Sequence, residues 1–110
     1  MNKMPEYERV VVHQGWPSER VLLVVGDVNG DGLDDVVIAS RRPGNGLYWL
    51  EQQSQLPWKL HVMDDTYPSL EAGGLLHDVT GNGRLDFVGG SDSSGGLLYW
   101  WESPEDPTEK

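Results

Sequence analysis

The chain has 110 residues and a net charge of −10 at pH 7, from 18 acidic and 8 basic residues, and 37% of it is hydrophobic. This composition is typical of one small globular domain, and the negative charge argues against binding to nucleic acids or to anionic membranes. Because cysteine is absent, disulfides, zinc–thiolate sites and thiol nucleophiles are excluded. No apolar run reaches the length of a membrane span, and residues 1–5 lack the apolar segment of a signal peptide.

In chain order, the sequence reads as short strands separated by turns rich in glycine and proline. Runs of β-branched and aromatic residues predict strands. These runs lie at 8–13, 20–25, 35–40 and 47–52, and again at 59–63, 73–78, 86–88 and 97–102. Stretches such as VLLVV and LLYWW are apolar at consecutive positions, which is typical of strands covered on both faces. The sequence therefore predicts an all-β fold.

The segment DVNGDGLDD, at 27–35, has the composition and spacing of a site for a hard cation. The oxygen ligands would come from the side chains of Asp27, Asn29, Asp31 and Asp35 and from the carbonyl of Leu33. Ca²⁺ takes about six to eight oxygens, and the two glycines allow the loop to turn tightly. An EF-hand would need a glutamate at the end of the loop, but Ile38 stands there in a predicted strand. The alternative is an acidic turn closed by Asx-type hydrogen bonds.

The sequence repeats itself at an offset of 51 residues: 7–57 align without a gap with 58–108, with 15 identities. The second copy of the loop offers the side chains of Asp78, Thr80, Asn82 and Asp86 and the carbonyl of Arg84. Two carboxylates in place of three, with a guanidinium nearby, predict weaker calcium binding. Hydrogen bonds within the turn are a competing interpretation here too. A repeat of about 50 residues with four strands is typical of a β-propeller blade.

The motif pairs GDVNGDGLDDVVIAS with GLYWLE, and HDVTGNGRLDFVGG with LLYWWE, resemble blades of the FG-GAP/VCBS β-propeller repeat family. That family includes integrin α-chain heads, blades similar to those of fungal lectins, and many secreted bacterial proteins. The resemblance implies two four-stranded blades, one over 7–57 and one over 58–103, followed by a tail at 104–110. It also implies bound Ca²⁺ with a structural role, and an extracellular or secreted location.

The resemblance also assigns letters to the strands of each blade. Strands A, B, C and D fall at about 20–27, 35–40, 46–52 and 58–63, and the second A, B and C at about 73–78, 86–91 and 97–102. No strand D follows the second strand C, but 7–13 align with the strand D at 58–64. The chain order is therefore D-ABCD-ABC, and the first strand of one copy could complete the last blade of another.

Two blades cannot close a ring, because closed propellers have about four to eight. We therefore expect a head-to-tail homo-oligomer, with a trimer favoured and a tetramer as the alternative. The competing interpretation is a fragment of a larger FG-GAP-type propeller, either a lectin or a sugar lyase or dehydratase.

The aromatic residues divide into two groups. Those of the two C strands are expected to pack between blades: Tyr48, Trp49, Tyr99, Trp100 and Trp101. Trp16 and Tyr67 align with each other in the D-to-A connections, which the resemblance places on one face of the ring. There they could bind carbohydrate by stacking on sugar rings, or they could fill the contact between blades.

The sequence contains no recognisable catalytic motif. Its histidines, His13, His61 and His77, are accompanied by no nucleophile elbow, phosphate loop or paired-histidine metal motif. Although some sugar lyases and dehydratases carry similar blades, the resemblance transfers no catalytic residue to this chain. The sequence therefore predicts a protein that is not an enzyme.

Overall fold

The computed structural model describes residues 4–14, 22–39, 46–66, 70–91 and 96–109, and all regular structure in these ranges is β-strand. A four-stranded antiparallel sheet (the first sheet) has the order β1-β2-β3-β4, and a three-stranded one (the second sheet) has the order β5-β6-β7. The strands are β1 (Leu22–Gly26), β2 (Asp35–Ala39), β3 (Leu47–Glu51), β4 (Lys59–Asp64), β5 (Leu70–His77), β6 (Asp86–Ser91) and β7 (Leu98–Trp101). The all-β prediction is confirmed, and these two sheets do not form a closed ring by themselves.

The two sheets repeat one pairing scheme at the offset seen in the sequence. Val37 pairs with Trp49 in the first sheet, and Val88 pairs with Trp100, 51 positions later, in the second. The predicted A, B and C strands are thus present in both repeats, and strand D is present in the first. β5 begins earlier than predicted, at Leu70, and its pairing with β6 is irregular between Leu70 and Gly74.

The predicted strand at 8–13 is not part of either sheet. Residues 4–14 have no regular structure, and most of their side chains are exposed. A backbone hydrogen bond of 2.8 Å from the Trp58 N–H to the Val12 carbonyl joins this segment to the start of β4. The single chain therefore shows no strand at 8–13, because a high strand propensity produces a strand only where an edge is available to pair with it.

The hydrophobic core lies between the two sheets. Side chains alternate between the two faces of a strand, and one face of the first sheet packs against one face of the second, with β1 in contact with β5. The first sheet contributes Leu22, Val37, Ala39, Leu47 and Trp49, and the second contributes Leu70, Leu76, Phe87, Tyr99 and Trp101. We call these the covered faces, and the contact between them the inner seam. No helix of the described residues is long and apolar enough to cross a membrane.

Phe87 fills the centre of the inner seam because two glycines beside it leave room for its ring. A Cβ atom at Gly74 would lie 2.6 Å from the Phe87 ring, and one at Gly89 would lie 2.8 Å from it. The ring also contacts that of Trp101, with the two centroids 5.5 Å apart. The equivalent of Phe87 in the first repeat is the smaller Val36.

The opposite face of each sheet, which we call its open face, carries exposed apolar side chains. On the first sheet these are Leu23, Val25, Leu60 and Val62, and on the second they are Leu75, Leu98 and Trp100. The prediction that strand C aromatics are packed holds for Trp49, which is 1% exposed, but Trp100 is 49% exposed. The two tryptophans are repeat equivalents, so the difference arises because only the face that bears Trp49 has a partner sheet.

Candidate cation loops

The β1–β2 connection brings together the three carboxylates that the sequence singled out. Asp27, Asp31 and Asp35 each offer an oxygen, and these oxygens lie within 4.8 Å of one another. The loop turns at Gly30 and Gly32, whose φ angles of 75° and 87° lie in the left-handed region that side chains disfavour. Backbone geometry therefore explains why glycines alternate with acidic residues in this loop.

The same side chains close the loop by hydrogen bonding. Asp27 accepts the N–H groups of Gly30 and Gly32, at 2.9 and 2.7 Å from its two carboxylate oxygens. Asp31 accepts the N–H group of Leu33 at 2.9 Å. The Asx-type turn that the sequence offered as an alternative is present, and it holds the carboxylates in the convergent arrangement that a cation would need.

Asp35 is the buried anchor of this loop. Its two oxygens accept the N–H groups of Val28, at 2.9 Å, and Gln52, at 2.8 Å, so that it ties the loop to the end of β3. Burial raises the pKa of Asp35, and the carboxylates of Asp31 and Asp27 raise it further, against the lowering effect of its two hydrogen bonds. A positive charge in the loop would favour the ionised form of Asp35.

The β5–β6 connection repeats this scaffold. Asp78 accepts the N–H groups of Gly81 and Gly83, at 2.8 and 2.7 Å, and the Gly83 and neighbouring N–H groups lower the pKa of Asp78. Asp86 is fully buried and accepts the N–H groups of Val79, at 3.1 Å, and Ser103, at 2.7 Å. The bonding pattern of the first loop thus recurs 51 residues later.

The second loop differs in its charges. Asn82 stands where the first loop has Asp31, and its side-chain oxygen accepts the N–H group of Arg84 at 3.0 Å. The Arg84 guanidinium donates to the Ser103 carbonyl at 3.3 Å, which directs it toward the end of β7. Thr80 is exposed. Among the described residues, only the first loop assembles three acidic side chains close enough to share an ion.

A partly buried polar connection that the sequence did not predict supports the first loop. The Asn29 side-chain amide donates to one oxygen of Glu51 at 3.0 Å, and the other oxygen of Glu51 lies 2.8 Å from His61 Nε2. The His61 ring stacks on Trp49 with centroids 4.4 Å apart. Glu51, the last residue of β3, therefore orients the Asn29 amide. The recurrence of glutamate at 51 and 102 was the available signal.

Three candidate residues remain, Leu33, Trp16 and Tyr67. The Leu33 side chain is exposed within the first loop, and binding of a cation by its carbonyl stays a prediction. Trp16 and Tyr67 lie outside the described residues, so carbohydrate binding through them stays a prediction.

Residues 22–48, which run from β1 through the first loop into β3, match the family model of the FG-GAP repeat. The chain carries an FG-GAP repeat. The resemblance proposed from the sequence is thereby confirmed over this segment. No curated protein and no solved structure matches the chain. The FG-GAP repeat and the two antiparallel sheets together indicate a part of a β-propeller-type protein.

Proposed function

We propose that the chain is a non-enzymatic, calcium-stabilised β-propeller module that assembles head to tail with copies of itself. One observation carries the assembly: each open face is the repeat equivalent of a covered face. The open face of the second sheet bears Val88 and Trp100, the equivalents of Val37 and Trp49 on the covered face of the first. A second copy can therefore place its first sheet on this face by repeating the packing of the inner seam.

The open face of the first sheet fits this arrangement. Val36, on the open face of the first sheet, is the repeat equivalent of Phe87 at the centre of the inner seam. Around it, Leu23, Val25 and Val62 are exposed although they are apolar. A contiguous apolar surface of this kind marks an interaction site. The two open faces differ, so the contact is heterologous and must close into a ring to avoid filaments. Closed propellers have about four to eight blades, and a trimer is the favoured ring.

Light scattering at several protein concentrations tests the assembly. We expect a mass of three times the 12.3 kDa of one chain, or four times for the alternative ring. Leu98→Glu, on the open face of the second sheet, should dissociate the ring. Met4→Glu introduces the same side chain at an exposed residue outside the strands of both sheets, and it should leave the mass unchanged. A mass of 12.3 kDa at every concentration would reject self-assembly and favour the fragment interpretation.

The donor set of the first loop fits calcium. It consists only of oxygens, from three carboxylates, the Asn29 amide and the Leu33 carbonyl, and hard cations such as Ca²⁺ prefer such ligands. When bound, the ion would offset the repulsion among the carboxylates and fix the turn between β1 and β2. FG-GAP repeats are typical of extracellular proteins, where calcium sites with dissociation constants of about 10⁻⁴ to 10⁻³ M are filled. We therefore propose an extracellular location.

Calorimetric melting with calcium and with chelator tests the site. Ligand at about 100 times its dissociation constant stabilises a fold by about 2.7 kcal/mol, so a clear rise in the melting temperature is expected. Asp31→Ala should remove most of this rise. Asn82→Asp, which gives the second loop a third carboxylate, should enlarge it. An identical melting temperature in calcium and in chelator would reject a site in the folded chain.

A further inference from the structure

The outer edge of β7 has no partner strand among the described residues, whereas the equivalent edge of β3 in the first sheet is paired. β3 pairs with β2 on one side and β4 on the other, whereas β7, its repeat equivalent, pairs only with β6 among the described residues. An unpaired edge presents N–H and carbonyl groups that can bind another strand. The second sheet is therefore one strand short of the first, and the missing strand belongs beside β7.

The segment at 8–13 is the repeat equivalent of β4, and it is free to fill that place. It lies outside both sheets, and its Val10 and Val11 side chains are exposed. The three consecutive valines at 10–12 have the β-branched character that favours strands. The segment thus has the sequence of a strand but no partner strand within the described part of its own chain.

The position of this segment follows the same repeat. Val12 accepts a hydrogen bond from Trp58, so the segment lies against the connection between β3 and β4. The repeat equivalent of that connection is the tail after β7, and there Pro107 and Thr108 line a groove together with Leu60, His61 and Val62 of β4. The segment therefore lies relative to the first sheet as β4 lies relative to the second sheet. That is the place for strand D of a preceding blade, whose other strands must come from another copy.

We propose that residues 8–11 of a second copy pair antiparallel with β7 as the fourth strand of its sheet. This inference rests on the head-to-tail assembly proposed above and names the segment and register that close each contact. The register follows from the β3–β4 pairs Tyr48 with Val62, Trp49 with His61, Leu50 with Leu60 and Glu51 with Lys59. Moved by one repeat, these become Tyr99 with Val11, Trp100 with Val10, Trp101 with Arg9 and Glu102 with Glu8.

Two consequences distinguish this register from any other. First, Val10 of the neighbour lies beside Trp100 as His61 lies beside Trp49, and together with the neighbour's first sheet it gives Trp100 the buried environment that Trp49 already has. Second, Glu8 faces Glu102, whereas the equivalent pair in the first sheet is Lys59 with Glu51. Like charges directly opposite one another weaken strand pairing. Glu8→Lys should therefore tighten the association by about two- to fivefold in the dissociation constant.

A matched control separates this pairing from a general charge effect. Glu6→Lys makes the same change in net charge at an exposed residue outside the paired segment. It should alter the dissociation constant less than Glu8→Lys does, as measured by sedimentation over a range of protein concentrations. Equal effects of the two substitutions would overturn the register.

Cysteine cross-linking tests the register directly, because the sequence contains no cysteine. In the double variant Glu8→Cys with Glu102→Cys, mild oxidation should join separate chains into covalent oligomers on a denaturing gel. Met4→Cys with Glu102→Cys, four positions out of register, should not. A disulfide within one chain, or associated chains that fail to cross-link through residues 8 and 102, would overturn this inference and leave head-to-tail assembly standing. Monomers at every concentration would overturn both.

Discussion

Replacing Phe87 by alanine tests whether the inner seam holds the fold together. The Phe87 side chain is 1% exposed and lies against Gly74 and Gly89, which have no side chains that could move into the space it leaves. Phe→Ala substitutions in protein cores cost about 3–5 kcal/mol, and this one should fall near the upper end. A domain of this size has a total stability of about 5–15 kcal/mol, so the variant should be close to unfolding.

Val36→Ala is the matched control, because Val36 is the repeat equivalent of Phe87 on the open face. In dilute solution the partly buried Val36 should lose no more than about 1 kcal/mol. The assay is urea denaturation followed by tryptophan fluorescence at several protein concentrations, with Phe87→Leu as a milder variant if Phe87→Ala does not fold. The cost of Val36→Ala should grow with concentration as copies cover the open face. A cost below about 1 kcal/mol for Phe87→Ala would refute the role assigned to the seam.

Three further predictions follow from local geometry. Gly46→Ala should destabilise the fold by about 1–3 kcal/mol in thermal melts, because its Cβ would overlap the Asp64 carbonyl. Gly90→Ala, whose Cβ would have its nearest neighbour at 3.8 Å, is the control and should be nearly neutral. Asp86→Ala should cost about 2–5 kcal/mol in urea denaturation, because it leaves two backbone N–H groups without their buried acceptor. In chelator, the raised pKa of Asp35 means that its carboxyl group holds a proton more tightly in the folded chain than in the unfolded chain. Melts over a pH series should therefore show that the contribution of Asp35 to stability falls as the pH rises from about 4 through the folded-state pKa. Calcium should oppose that fall.

Much of the fold could be predicted because its signals are local and occur twice. Alternating glycines and acidic residues require a tight turn, and β-branched runs on either side of the turn require strands. The offset of 51 residues then carries each assignment from one repeat to the other. The convergence of Asp27, Asp31 and Asp35 belongs to the same class of inference, because the loop's own backbone brings the three side chains together.

The features that sequence reasoning missed depend on partners distant in the chain. The bond between Asn29 and Glu51 joins residues 22 positions apart and exists only once β3 lies beside the loop. The exposure of Trp100 could not be predicted from its similarity to Trp49, because burial depends on which sheet covers a face. The segment at 8–13 has the propensity of a strand but is not part of either sheet for the same reason: its propensity is local, but its partner is not.

The hydrogen bonding of the inner seam bears on how strongly separate copies can be held. Across this seam, Trp101 Nε1 donates to the Asp64 carboxylate at 2.8 Å. The repeat equivalents of this pair are Leu50 and His13, which would meet within the copy that supplies the exchanged strand, and leucine has no donor to offer. The seam between copies would therefore lack an equivalent of this bond and would depend more on apolar contact and on the exchanged strand. It should open before the inner seam does, so that a ring diluted or mildly denatured would release folded two-sheet chains rather than unfolded ones.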